Sequence, residues 1–132
     1  LYKDIFIYGD LDIKTCPRAG TISFNIINMD HGLVAAILND YFNIAVRNEC
    51  FCAHPYVEQM LHMTHQDEIS KLDCIDNHLS WKVEPWMGMV RASFGIYNTK
   101  KDVDKLISSI KDIIDNKQKY SDYYSVDSNG DY

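Results

Sequence analysis

Polar and apolar positions alternate strictly from residue 21 to 26, with Thr21, Ser23 and Asn25 on one side and Ile22, Phe24 and Ile26 on the other. A period of two is the mark of a strand with one buried face. Residues 5–8 predict an earlier strand, and Gly9, Asp10 and the Pro17/Gly20 region supply turns. Residues 89–95 predict a later strand with Val90, Ala92 and Phe94 on one face, and a short strand is expected at 44–47. The period then changes. Val34, Ile37, Leu38 and Tyr41 fall at helical spacing behind Asp30, which predicts a capped helix over 31–42. Pro55 opens another helix with Val57, Met60 and Leu61 as its apolar stripe, since the first turn has no use for the missing N–H.

A second short helix is expected within 64–76, followed by a loop to residue 88 that carries Trp81, Pro85 and Trp86. The clearest element comes last. Thr99 and Asp102 resemble a capping box, and Val103, Leu106, Ile107, Ile110, Ile113 and Ile114 predict a continuous apolar stripe behind it. Strands and helices are interspersed, with connections too short for repeated parallel crossovers. The fold class expected is therefore α/β of the α+β kind: a small, mainly antiparallel sheet covered by helices. Residues 120–132 are polar and tyrosine-rich and read as a solvated extension. Asp127, Asn129 and Asp131 lack the spacing and the closing glutamate of a calcium loop.

Composition narrows the function classes. A net charge of −6 argues against a nucleic-acid partner, which needs a basic face. No apolar run reaches the roughly 18 residues that span a bilayer, so no membrane role is expected. Cys16, Cys50, Cys52 and Cys74 lack the spacing of a disulfide framework and suit a reducing compartment, so the cytoplasm is the expected location. The chain opens at Leu1 without an initiator methionine and reads as a piece of something longer, folding as one domain.

Three groups could carry chemistry. Arg47 and Arg91 each point away from the apolar face of their strand, so neighbouring strands would bring two guanidinium groups to one anion; the alternative is two surface arginines. Cys52 follows in an irregular segment, near positive charge and ahead of a helix N-terminus, both of which favour thiolate; the alternative is a small buried hydrophobe. Cys50, Cys52 and His54, with His62 and His65, match zinc spacing poorly, and no metal site is expected.

Three blocks, RAGTISFNI (18–26), IAVRNECFCAHPYV (44–57) and MVRASFGIYNTKKDVDKL (89–106), resemble in order the C-terminal small domain of class V aminotransferases, a group of fold-type I pyridoxal phosphate enzymes. The resemblance is to the cysteine desulfurase and selenocysteine lyase branch. It implies a small domain over 1–118, with an insertion at 58–88 and a polar tail at 119–132. It implies L-cysteine as sulfur donor, alanine as product and a sulfur-acceptor protein, in a homodimeric parent enzyme. By position, Cys52 matches the residue that takes sulfur as a persulfide, and Arg91 the residue that holds the substrate carboxylate. Arg47 matches an arginine beside the active site, and His54 stands where that branch has His or Gln. The family commonly has a small residue and then Gly after the first arginine, where this chain has Asn48 and Glu49. No segment resembles the family's cofactor-lysine motif, so the chain alone is not expected to hold pyridoxal phosphate. Two other readings remain: another class V aminotransferase, epimerase or lyase that does not use the thiol, and a free-standing interaction module.

Overall fold

The computed structural model describes residues 3–62, 88–127 and 132. The expected helix within 64–76, Trp81, Pro85, Trp86, His65, Cys74 and most of the 58–88 insertion lie outside the described residues. Three strands form one antiparallel sheet in the order β1 (Ile5–Ile7), β2 (Thr21–Ile26) and β3 (Val90–Ser93). Around it stand α1 (His31–Phe42), α2 (His54–Met60), α3 (Lys100–Asp115) and α4 (Lys117–Ser121). This is the α+β arrangement expected. No described helix is long and apolar enough to cross a membrane.

The alternation at 21–26 sets the two faces of the sheet. Ile22 pairs with Ala92 and Phe24 with both Val90 and Ile7, so these apolar side chains share one face. That face meets α1 and α3, whose Leu33, Val34, Ile37, Leu38, Leu106, Ile110 and Ile113 complete the core. The opposite face carries Thr21, Ser23, Asn25 and Arg91, and on this side the chain is open to function.

The helix ends follow the chemistry of their caps. Asp30 Oδ1 accepts from the N–H groups of Gly32 (2.7 Å) and Leu33 (3.1 Å), which satisfies two donors that have no partner within the helix. Asn43, at a φ of 51°, closes α1 in the left-handed conformation that asparagine tolerates. At Thr99 the backbone N–H donates to the Asp102 carboxylate at 2.7 Å, and the Thr99 hydroxyl does so at 3.0 Å.

Several expectations are corrected. Residues 44–47 do not form a strand: the segment touches the sheet by a single bridge, Arg47 to Arg91, although Ile44 and Val46 still pack on the core. β1 and β3 are shorter than predicted. The stripe on α3 is narrower than its spacing suggests. Leu106, Ile110 and Ile113 are buried in line against α1, whereas Val103 and Ile107 fall on a flank and are exposed. Tyr120 is buried and Tyr124 packs against the core, so the stretch read as a solvated extension begins as part of the globule.

Candidate functional site

The polar face of the sheet organises the site. Arg91 stands directly across from Ser23, and the N–H of Tyr8 donates to the Ser23 carbonyl at 3.0 Å. On the other side of β3, Arg47 and Arg91 exchange both backbone bonds, Arg47 N–H to Arg91 O at 3.1 Å and Arg91 N–H to Arg47 O at 2.7 Å. Residues opposed in this way project to the same face. Arg47, Arg91, Ser23 and Tyr8 therefore form one row across the sheet.

Arg91, Ser23 and Tyr8 line a cavity of about 450 Å³. Arg91 is half-buried, and its guanidinium carbon lies 4.9 Å from the centre of the Phe51 ring, within cation–π range. Its Nε is buried and has no hydrogen-bond partner among the described residues. A buried donor left open is costly, at about 1–3 kcal/mol, unless a ligand supplies the acceptor. Asn25 stands beside this row, its amide donating to the Tyr8 hydroxyl at 3.1 Å and to the Gly88 carbonyl at 2.8 Å. Burial pushes the Tyr8 phenol above its ordinary value, and the Asn25 bond acts the other way. With its oxygen accepting from Asn25, the neutral phenol keeps its proton free to donate into the cavity.

The cysteine segment forms the cavity's next wall. Phe51 and Ala53 line it. Cys52 between them is exposed and stands outside the described lining. Cys50, two residues earlier, is buried with Val57 and Met89. Three residues of this segment, Glu49 (φ 72°), Phe51 (φ 54°) and Cys52 (φ 62°), occupy the left-handed region that L-residues avoid. The segment is held by the Met89 N–H on the Glu49 carbonyl (3.1 Å) and the Ala53 N–H on the Cys50 carbonyl (2.7 Å).

Of the residues singled out from sequence, Arg91 lines the cavity, and Cys52 lies between two residues that line it. Arg47 shares the row but is exposed and outside the described lining, and His54 is exposed as the first residue of α2. Tyr8, Cys16, Arg18, Ser23 and Tyr56 also line the cavity and were not anticipated. Ser23 had a signal, because the alternation at 21–26 already put it on the polar face. Arg18 had none.

Comparison with known proteins places these features in a family. The family model for aminotransferase class V matches residues 2–106. A molybdenum cofactor sulfurase of Bombyx mori is 32% identical over 117 residues, covering 82% of this chain and 14% of that protein. Molybdenum cofactor sulfurase 2 of Aedes aegypti is 32% identical over 120 residues, covering 83% of this chain and 16% of that protein. A probable cysteine desulfurase of Staphylococcus epidermidis is 29% identical over 117 residues, covering 83% and 21%. The chain thus spans between 14% and 21% of the length of these relatives. The matched stretch takes in the whole sheet, the cysteine segment and the start of α3, and on it the chain belongs to the aminotransferase class V family.

Proposed function

We propose that this chain supplies the sulfur-accepting thiol and the carboxylate anchor of a cysteine desulfurase-like enzyme. One observation carries the reading: a guanidinium with an unpartnered buried nitrogen, Arg91, opens into a cavity walled by the two neighbours of an exposed thiol, Cys52. Arg91 takes the donor's carboxylate through its planar fork, with the Phe51 ring covering one face of the guanidinium. Tyr8 and Ser23 offer hydroxyls along the same row. Cys52 accepts the donor's sulfur, leaving a persulfide on the protein. The carbon that loses the sulfur takes up a proton, and alanine departs. Because Cys52 lies between two residues that line the cavity, its segment turns inward to receive sulfur and outward to pass it on. For the acceptor, the sulfurase relatives' names point to the molybdenum cofactor.

Pyridoxal phosphate is the cofactor this family implies, and its chemistry is that of an electron sink. The described lining does not fit the task of holding it. The cations there are guanidiniums and no lysine amine is among them. This chain's share of the reaction is accordingly the amino-acid end and the sulfur.

The full-length protein tests the proposal. Alanine release from L-cysteine should vanish in Cys52→Ala, together with the gain of one sulfur atom on the peptide bearing Cys52. Arg91→Gln should raise KM for cysteine by about tenfold or more, the worth of a charge-assisted bond. Full activity in Cys52→Ala would transfer the case to the second reading, a class V enzyme that does not need the thiol. The position of Cys52 outside the described lining favours that alternative.

A further inference from the structure

The cavity contains a second guanidinium that the proposed reaction leaves idle. Arg18 lines the wall together with Arg91. Its Nε donates to the Asp10 carbonyl at 2.6 Å, and one terminal nitrogen donates to the carbonyls of Tyr8, at 3.1 Å, and Asp10. Gly9 eases the approach: it sits at a φ of 86°, and a Cβ there would crowd that terminal nitrogen at 3.1 Å. The carbonyls fix the fork and use one of its two ends, leaving the other terminal nitrogen without a partner among the described residues.

Charge sharpens the point. Backbone carbonyls bring no countercharge, and the ion pairs among the described residues, Lys100 with Asp104 and Lys117 with Asp4, involve neither Arg18 nor Arg91. The chain has 19 acidic residues against 13 basic ones, so partners were plentiful. Asp10 is the acidic residue in the described lining, and its Oδ1 accepts the Asp12 N–H at 2.9 Å. Two guanidiniums that pair with no carboxylate among the described residues share the cavity with the single aspartate of its described lining, Asp10, and the net positive charge makes it a receptor for negative charge at two points. Arg91 belongs to β3, and Arg18 is tied to the segment that continues β1; β2 lies between them, which sets the backbones carrying the two anchors about 10 Å apart at the usual strand spacing. An extended residue covers about 3.5 Å, so one cysteine does not reach both.

We infer that Arg18 is a second anion seat, which takes an acid group, carboxylate or phosphate, of a small-molecule sulfur acceptor while Arg91 holds the donor's carboxylate. The inference rests on the sulfur-transfer reading. Arg18 thereby selects acceptors by charge and brings them into the cavity that the cysteine segment borders.

Calorimetric titration of the full-length protein with straight-chain dicarboxylates from succinate to tetradecanedioate tests this, with butyrate and inorganic phosphate as single-anion probes. Affinity should rise with length to an optimum where one chain bridges the two guanidiniums and fall beyond it. Arg18→Gln should weaken the best dicarboxylate about tenfold and leave butyrate unchanged, and Arg18→Lys, which keeps the charge, should lose less. Phosphate binding that falls in Arg18→Gln and survives Arg91→Gln would extend the seat to phosphorylated acceptors; phosphate that binds without regard to Arg18 would rule that class out. A wild-type series without a length optimum overturns the inference, and so does an Arg18→Gln protein that binds the best dicarboxylate as the wild type does. The wild-type series needs no variant, so a misfolded Arg18→Gln protein leaves the test intact. Failure of the donor anchor reads differently: Arg91→Gln would then leave butyrate binding unchanged.

Discussion

Glu49 holds a φ of 72°, in a region that costs a side-chain-bearing residue about 1–2 kcal/mol and glycine nothing. It occupies the position where the family pattern commonly has Gly, so the departure seen in the sequence is a departure in backbone strain as well as in charge. Glu49→Gly removes the strain and adds about 0.5–1 kcal/mol of unfolded-chain entropy, for a net gain of about 0.5–1 kcal/mol in denaturant unfolding. Glu49→Gln keeps the backbone penalty and removes only the carboxylate. Alkylation rates at Cys52 in the two variants then separate the causes. A change common to both comes from charge, and one confined to Glu49→Gly comes from a segment released from its left-handed turn. Equal or lower stability in Glu49→Gly would mean that the Met89 bond to the Glu49 carbonyl, and not side-chain sterics, sets the cost of this turn.

At the scale of elements, the start of α3 shows how a cap becomes a pH response. The Thr99 backbone N–H, and after it the Thr99 hydroxyl, holds the Asp102 carboxyl below the usual carboxylate range. Folding therefore favours the ionised form. That contribution is fully present above about pH 4, the unfolded value, and is lost as pH falls through the lower folded one. Asp102→Asn deletes it, so the melting temperatures of wild type and variant should differ at pH 7 and converge below pH 4. A gap that stays constant with pH would assign the cap to hydrogen bonding without charge.

The caps are also the part of the fold most legible in the sequence, because they are local. Asp30 and Thr99 announce helices within a few residues, and both ends of α1 fall where the spacing puts them. Elements that depend on partners distant in the chain were less legible. Residues 44–47 have the alternation of a strand, but alternation says nothing about whether a neighbour offers more than one residue to pair with. Helical spacing gives the side of α3 that is buried and not its width, so Val103 and Ile107 were misplaced. The site divides in the same way. That Arg91 leaves the apolar face could be read from period two. That Arg47 lies across from it, and that Arg18 returns over Gly9 into the same cavity, depends on register and on backbone carbonyls with no periodicity to betray them.

Across the whole molecule the cysteine segment and the Tyr120–Tyr124 stretch belong to different bodies of packing. Cys50, Val57 and Met89 form a small cluster beneath the segment, while Tyr120 and Tyr124 join the main core. The Tyr120 hydroxyl donates to Asp112 at 2.6 Å and the Tyr124 hydroxyl to Asp40 at 3.0 Å, tying these two residues to α3 and α1. Burial first, and then these carboxylates, push both phenols up to about 12. A folded value above the unfolded one means that stability is fully present below about pH 10 and is lost as pH rises through 12. Alkaline titration should therefore show a late group containing Tyr120 and Tyr124 that ionises together with loss of the fold. In the double variant Tyr120→Phe, Tyr124→Phe the late group should lose these two phenols and the pH dependence between 10 and 12 should flatten, at a cost near neutral pH of about 1 kcal/mol for each hydrogen bond removed. Alkylation of Cys52 should be unaltered by the pair of substitutions at neutral pH, because its segment rests on the other cluster. An alkaline titration unchanged by the double variant would show that these two hydroxyls are solvated and that Tyr120 and Tyr124 are not fastened to the helices.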